Sequence, residues 1–135
     1  FLYNYIKGEE WRSQKRVHEL IEQHYHNTPG GIPGNDDAGT LSAWLVFSMM
    51  GIYPVSPGDM NYAVVTPSFD EIAIKLNPNY YSGNKLLIKS IKSNSKAKFI
   101  TDMRFNNHKM NTYFINHHQL VNGGELNFRL DDKVH

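Results

Sequence analysis

Gly34-Asn35-Asp36-Asp37-Ala38-Gly39-Thr40-Leu41-Ser42-Ala43-Trp44 is the stretch on which the fold turns. Glycines on both sides let the backbone bend sharply. Two adjacent carboxylates lie between them, and an apolar run from Leu41 to Ile52 follows at once. The pattern predicts a tight loop feeding a buried helix from about Ala38 to Met50, with Asp36 and Asp37 presented at its N-terminus. A carboxylate held there has the fixed direction that acid–base chemistry needs. The same position also takes an ordinary capping Asp. The residues alone leave both readings open, and one side chain can serve both, capping with one oxygen and leaving the other free.

Working outward, the helix after the loop is apolar nearly all round. Leu41, Ala43, Trp44, Leu45, Val46, Phe47, Met49 and Met50 leave no polar face. Such a helix is packed on all sides, so it is expected in a helical array larger than this chain provides. Gly51 and Pro54 end it. On the upstream side, Glu9 and Glu10 open a helix whose Val17, Leu20, Ile21, His24 and Tyr25 share one face. It should end near His26, because Asn27-Thr28-Pro29-Gly30-Gly31 follows. The opening Phe1-Leu2-Tyr3-Asn4-Tyr5-Ile6 reads as the tail of an earlier helix, so the chain is expected to be a fragment of a longer protein.

After Pro57-Gly58 the character changes. Runs at 62–66, 69–76, 85–91, 97–105, 112–115 and 125–130 are short and rich in β-branched and aromatic residues. Ile72, Ile74 and Leu76 alternate with polar or small neighbours, as do Leu126, Phe128 and Leu130. Turn clusters such as Asn77-Pro78-Asn79 and Asn122-Gly123-Gly124 separate them. This spacing predicts an antiparallel sheet, a small sandwich-like segment. The fold class is therefore α+β, with residues 1–57 helical and residues 58–135 forming the β segment.

Composition narrows the function. Hydrophobic residues make up 40% and charged residues 20%, so a folded core is expected rather than disorder. The net charge of +1 gives no bias towards nucleic acid. The lysines from Lys85 to Lys98 read as a solvated face. No apolar run exceeds about a dozen residues, too short to span a bilayer. Cysteine is absent, which removes disulfides, thiolate catalysis and cysteine-bound zinc. His18 lies four residues before Glu22 and reads as half of a surface pair. None of the histidines shows a zinc-binding spacing. Trp44 reads as a core residue and Trp11 as a rim residue. No nucleophile elbow or phosphate loop is present.

The run Gly31-Ile32-Pro33-Gly34-Asn35-Asp36-Asp37-Ala38-Gly39-Thr40-Leu41-Ser42-Ala43-Trp44, continuing through Phe47-Ser48 to Gly51-Ile52-Tyr53-Pro54-Val55, resembles the C-terminal part of glycoside hydrolase family 92. Tyr3-Asn4-Tyr5, Trp11-Arg12-Ser13-Gln14-Lys15 and Asn122-Gly123-Gly124-Glu125-Leu126 share that resemblance, so it spans nearly the whole chain. The family consists of calcium-dependent, exo-acting α-mannosidases that work with inversion. The resemblance implies that the helices belong to an (α/α)6 toroid. It implies that Asp37 is the catalytic base, with Asp36 beside it as a second catalytic carboxylate and Gly34 and Asn35 as substrate-binding residues. Many relatives carry an acidic residue where this chain has Asn35, which leaves open whether Asp36 or Asn35 helps position the water. No Glu here matches the family's general acid. The resemblance also implies a calcium cofactor with ligands mostly outside this fragment, a mannose-containing glycan as partner, and a secreted or periplasmic location.

Inversion fits this division. It needs two carboxyl groups about 6.5–9.5 Å apart, on opposite faces of the sugar. Neighbouring residues such as Asp36 and Asp37 cannot supply both, so a fragment with one half of the pair should be inactive alone. The rival expectation is a non-catalytic carbohydrate-binding or interaction module, with Tyr80-Tyr81 as a stacking platform. A toroidal glycosidase of another sugar specificity is a third.

Overall fold

A computed structural model describes residues 1–134. The chain opens with a 3-10 turn at Leu2–Tyr5, where the sequence had suggested the tail of a longer helix. Helix α1 follows at Glu10–His24. A second 3-10 turn at Asp37–Gly39 leads directly into α2, Thr40–Met50. Among the described residues, eight strands and one short helix follow: β1 Ile52–Tyr53, β2 Asn61–Val64, β3 Glu71–Lys75, β4 Lys85–Lys92, β5 Phe99–Phe105, β6 His108–Lys109, β7 Phe114–Asn116, α3 His117–Val121 and β8 Gly124–Asp131. The class is α+β, as the hydrophobic periods imply.

The strands form two sheets, in the orders β1-β2-β7 and β3-β4-β8-β5-β6. Alternation sets which face is buried. In β8, Leu126, Phe128 and Leu130 point inward while Arg129 is exposed. They meet Phe105, Met103 and Ile100 across β5 and Ile88 and Ser90 across β4. Val64 and Ile115 of the three-stranded sheet join the same buried cluster as Leu86, Ile88 and Phe128 of the five-stranded one. One core therefore lies between two sheets, which is the sandwich-like arrangement.

Five of the six strand pairs are antiparallel, and β4 with β8 is parallel. A parallel pair needs a long crossover. Residues 93–123 supply it, passing through β5, β6, β7 and α3 before the chain returns between β4 and β5. Alternation of apolar residues says which face is buried but nothing about a partner's direction, so this pairing was not legible in the strand pattern.

The helices attach to the sheets by different means. Helix α1 buries Ser13, Gln14 and Val17. Gln14 Oε1 accepts the Ile100 N–H at 2.8 Å and stands 3.1 Å from the Thr66 hydroxyl. Asn4, also buried, donates to the carbonyls of Val64 and Tyr113. His18 is not the surface partner of Glu22 that its spacing suggested: its Nε2 lies 3.0 Å from the Thr66 carbonyl. Helix α2 is tied at its C-terminus. Gly51 adopts φ +81° there, and a Cβ on it would stand 2.7 Å from the Val65 carbonyl oxygen. That close approach permits the Val65 N–H to reach the Gly51 carbonyl at 2.9 Å.

Candidate active-site loop

Two local features carry the chain into the loop. The turn after α1 closes on itself through His26 N–H to the Gly31 carbonyl and Gly31 N–H to the Thr28 carbonyl. Gly34 then takes φ +90°. Gly34 and Asn35 are both exposed as the chain approaches the carboxylates.

The turn at Asp37–Gly39 is built from two successive left-handed residues, Ala38 at φ 55° and Gly39 at φ 79°. Glycine adopts this conformation freely. A residue with a Cβ pays about 1–2 kcal/mol for it, so Ala38 holds local strain. The Gly39 N–H donates to the Asp36 carbonyl, and the Thr40 hydroxyl donates to the Asp37 carbonyl at 2.7 Å.

Gly39 occupies the N-cap position of α2 and has no side chain to offer. The first N–H groups of a helix have no partner within it. Asp36 fills the gap from upstream. Its Oδ1 accepts the Ser42 N–H at 2.8 Å and its Oδ2 accepts the Ser42 hydroxyl at 2.5 Å. The Ser42 hydroxyl, then the Ser42 N–H, hold the Asp36 carboxyl below the usual range of an aspartate. Asp37 is exposed, and its carboxylate makes no hydrogen bond to the described residues. The two neighbours are therefore in different states: Asp36 is tied through both oxygens, and Asp37 is open.

Tyr25 braces this arrangement. Its hydroxyl donates to the Leu41 carbonyl at 3.4 Å, and its ring stacks on Trp44 at 5.6 Å. Burial, and then the charge of Asp36, raise the Tyr25 pKa. Trp44 is half-buried and also meets Phe1 edge-on. Trp11 packs its ring edge-on to Phe99, with the Arg12 guanidinium over it. Ser42 and Tyr25 are the residues that reading the loop overlooked. A signal for Ser42 was present: a glycine at the N-cap requires the cap to come from elsewhere.

Among the described residues, no three His, Cys, Asp or Glu side chains converge on a point that could hold a metal ion. Asp36 has both oxygens committed to Ser42. The described carboxylates by themselves form no such cluster. Several hollows among the described residues lie away from the loop, including two that adjoin helices. One of about 630 Å³ is lined by Lys15, His18, Glu22, Thr66, Lys92 and Lys98 among others. The other, of about 400 Å³, is apolar and lies between α2 and the sheets beside Phe47, Tyr62, Tyr81 and His117. Tyr80 is 79% exposed, while Tyr81 stands edge-on to His117.

Comparison with known proteins finds relatives named as a glycosidase and as mannosidases. A secreted glycosidase of Arthroderma benhamiae, described as uncharacterized, is 33% identical over 132 residues, which is 96% of this chain and 16% of that protein. A family GH92 α-mannosidase of Bacteroides thetaiotaomicron, solved in complex with mannoimidazole, superposes with a TM-score of 0.87 at 28% identity, covering 98% of this chain and 17% of that one. A family GH92 inverting mannosidase of the same organism gives a TM-score of 0.79 at 29% identity, over 92% of this chain and 16% of that one. The sequence profile of the glycosyl hydrolase family 92 catalytic domain matches residues 1–132, and the chain belongs to that family. It spans about a sixth of the length of these relatives. No helix among the described residues is long and apolar enough to cross a membrane.

Proposed function

We propose that this chain is the C-terminal part of an inverting α-mannosidase that removes terminal α-mannose from glycans, and that Asp37 activates the attacking water. The observation that carries this reading is the division of labour in the loop. Both Asp36 oxygens are committed to Ser42, whereas the Asp37 carboxylate is exposed. An accessible carboxylate on a fixed backbone can take a proton from water. Asp36 serves as its support, and Gly34 and Asn35 line the approach of the sugar.

Inversion also requires a general acid about 6.5–9.5 Å from the base, across the anomeric centre. Asp36 is adjacent in sequence and already bonded, so the acid is assigned to the remainder of the parent chain. The same remainder is the partner that covers α2. Calcium dependence is part of the proposal through the family alone. Its ligands are assigned mainly outside residues 1–135. A secreted or periplasmic location rests on the fungal relative, which is named as secreted.

The test is turnover of an aryl α-mannoside. In the full-length enzyme, Asp37→Asn should lower kcat by about 10³-fold or more, the scale of losing both proton transfer and alignment, with unchanged folding by circular dichroism. Retained turnover would move the base elsewhere. The isolated 135-residue chain should show none, and significant turnover by it would overturn its reading as half of a site.

A further inference from the structure

We propose that Ser42 is a positioning residue for the reaction, acting through Asp36 to hold Asp37 in line with the attacking water. The proposal rests on the reading of Asp37 as the base. A helix cap needs one bond, and the Ser42 N–H to Asp36 Oδ1 at 2.8 Å already supplies it. The second bond, from the Ser42 hydroxyl to Oδ2 at 2.5 Å, satisfies no orphan N–H of α2. What it does is fix the other oxygen, and with it the plane of the Asp36 carboxylate.

Asp36 is thereby locked to the first turn of α2 from six residues away. The intervening turn has little freedom left. Its Gly39 N–H is held by the Asp36 carbonyl, and the Asp37 carbonyl is held by the Thr40 hydroxyl. The helix end they attach to is itself fixed at Leu41 by the Tyr25 hydroxyl. Asp37 therefore rides on a backbone clamped at both sides, while its own carboxylate is left without a clamp. That backbone sets the direction of its Cα–Cβ bond, and with it the positions the carboxylate can reach. The left-handed Ala38 at φ 55° gives the turn a reason to relax once a clamp is removed. Losing the Ser42 hydroxyl releases one Asp36 oxygen, and the turn carrying Asp37 relaxes with it.

The variants Ser42→Ala, Ser42→Thr and Asp37→Asn in the full-length enzyme test this, with kcat and KM measured on an aryl α-mannoside and rates normalised to folded protein. Because a misplacement of about 1 Å costs up to about 10²-fold in rate, Ser42→Ala should lower kcat by about tenfold or more with KM within about twofold. Ser42→Thr keeps both donors and should restore kcat to within about threefold, since the hydroxyl rather than the serine is what the geometry needs. A purely structural cap predicts a lower melting temperature with full kcat per folded molecule, and that result would overturn the proposal. If Asp37→Asn is inactive while Ser42→Ala keeps its full kcat, only the positioning role falls. If Asp37→Asn stays active, the base assignment falls and this proposal with it.

Discussion

Helices α1 and α2 meet the rest of the chain in opposite ways. Helix α1 looks ordinary as an amphipathic helix, yet two of the three residues it buries are polar, Ser13 and Gln14 beside Val17. Helix α2 is apolar almost all round, yet Ser48 is the one residue of it that is buried, and Val46 stays 56% exposed. The first helix finds its destination inside this chain, because Gln14 reads a backbone group on β5. The second carries more apolar surface than the sheets cover. Hydrophobicity alone would have ranked them the other way. The proposal gives the exposed Val46 side of α2 to the rest of the parent chain.

The strongest way to break this contrast is at Gln14. Its Oε1 is the acceptor for the Ile100 N–H inside a buried region. Gln14→Ala strands that donor, and an unsatisfied buried group costs about 1–3 kcal/mol beyond the lost packing. A total of about 2–4 kcal/mol is expected by denaturant unfolding, with loss of hydrogen-exchange protection at the Ile100 amide. Protection that survives the substitution would mean that α1 is held by its apolar face after all.

A smaller effect is expected on α2. If the parent chain covers Val46, Val46→Ser in the full-length enzyme should cost about 1.5 kcal/mol, the transfer value of a buried valine. A change within about 0.5 kcal/mol, the usual range for a surface position, would show that Val46 remains in water and that α2 is not enclosed where the proposal encloses it.

The contrast also explains what could be read from the sequence. Strands with one buried face announce themselves, so β3 to β5 and β8 follow the alternation of residues such as Ile72, Ile74, Leu126 and Phe128. The direction of β8 against β4 does not, because burial alternates in the same way in parallel and antiparallel pairs. Helix α3 has five residues, too few for a period of 3.6 to show. Its signal lay in the capping box of Asn116 and Gln119 instead. A helical wheel counts apolar residues, so it passed over Ser13 and Gln14. In the loop, two adjacent carboxylates were plain, but their unequal states were not. That difference depends on Ser42 folding back on Asp36 across a turn with Ala38 in a left-handed conformation, which no residue type there dictates.

The smallest expected effect is at the polar seam between α1 and the sheets, where His18 lies half-buried. Burial is the main cause lowering its pKa. The Thr66 carbonyl and the charge of Glu22 oppose it, and Lys98 and Lys92 add to it. The folded protein thus favours the neutral ring, whose Nε2–H donates to the Thr66 carbonyl. In the unfolded chain the ring takes a proton near its ordinary value of about 6.5. Between that value and the lower folded one, the unfolded state binds more protons, so stability rises with pH across the window. The contribution is complete above about pH 6.5 and is lost as pH falls through the range below it. His18→Gln keeps a neutral donor within reach of the carbonyl but cannot titrate. Melting followed from pH 7.5 down to pH 5 should therefore fall less steeply for the variant than for the parent. Equal slopes would show that His18 is as accessible to protons in the folded chain as in the unfolded one, and that the seam under α1 is wetter than the contacts of Gln14 imply.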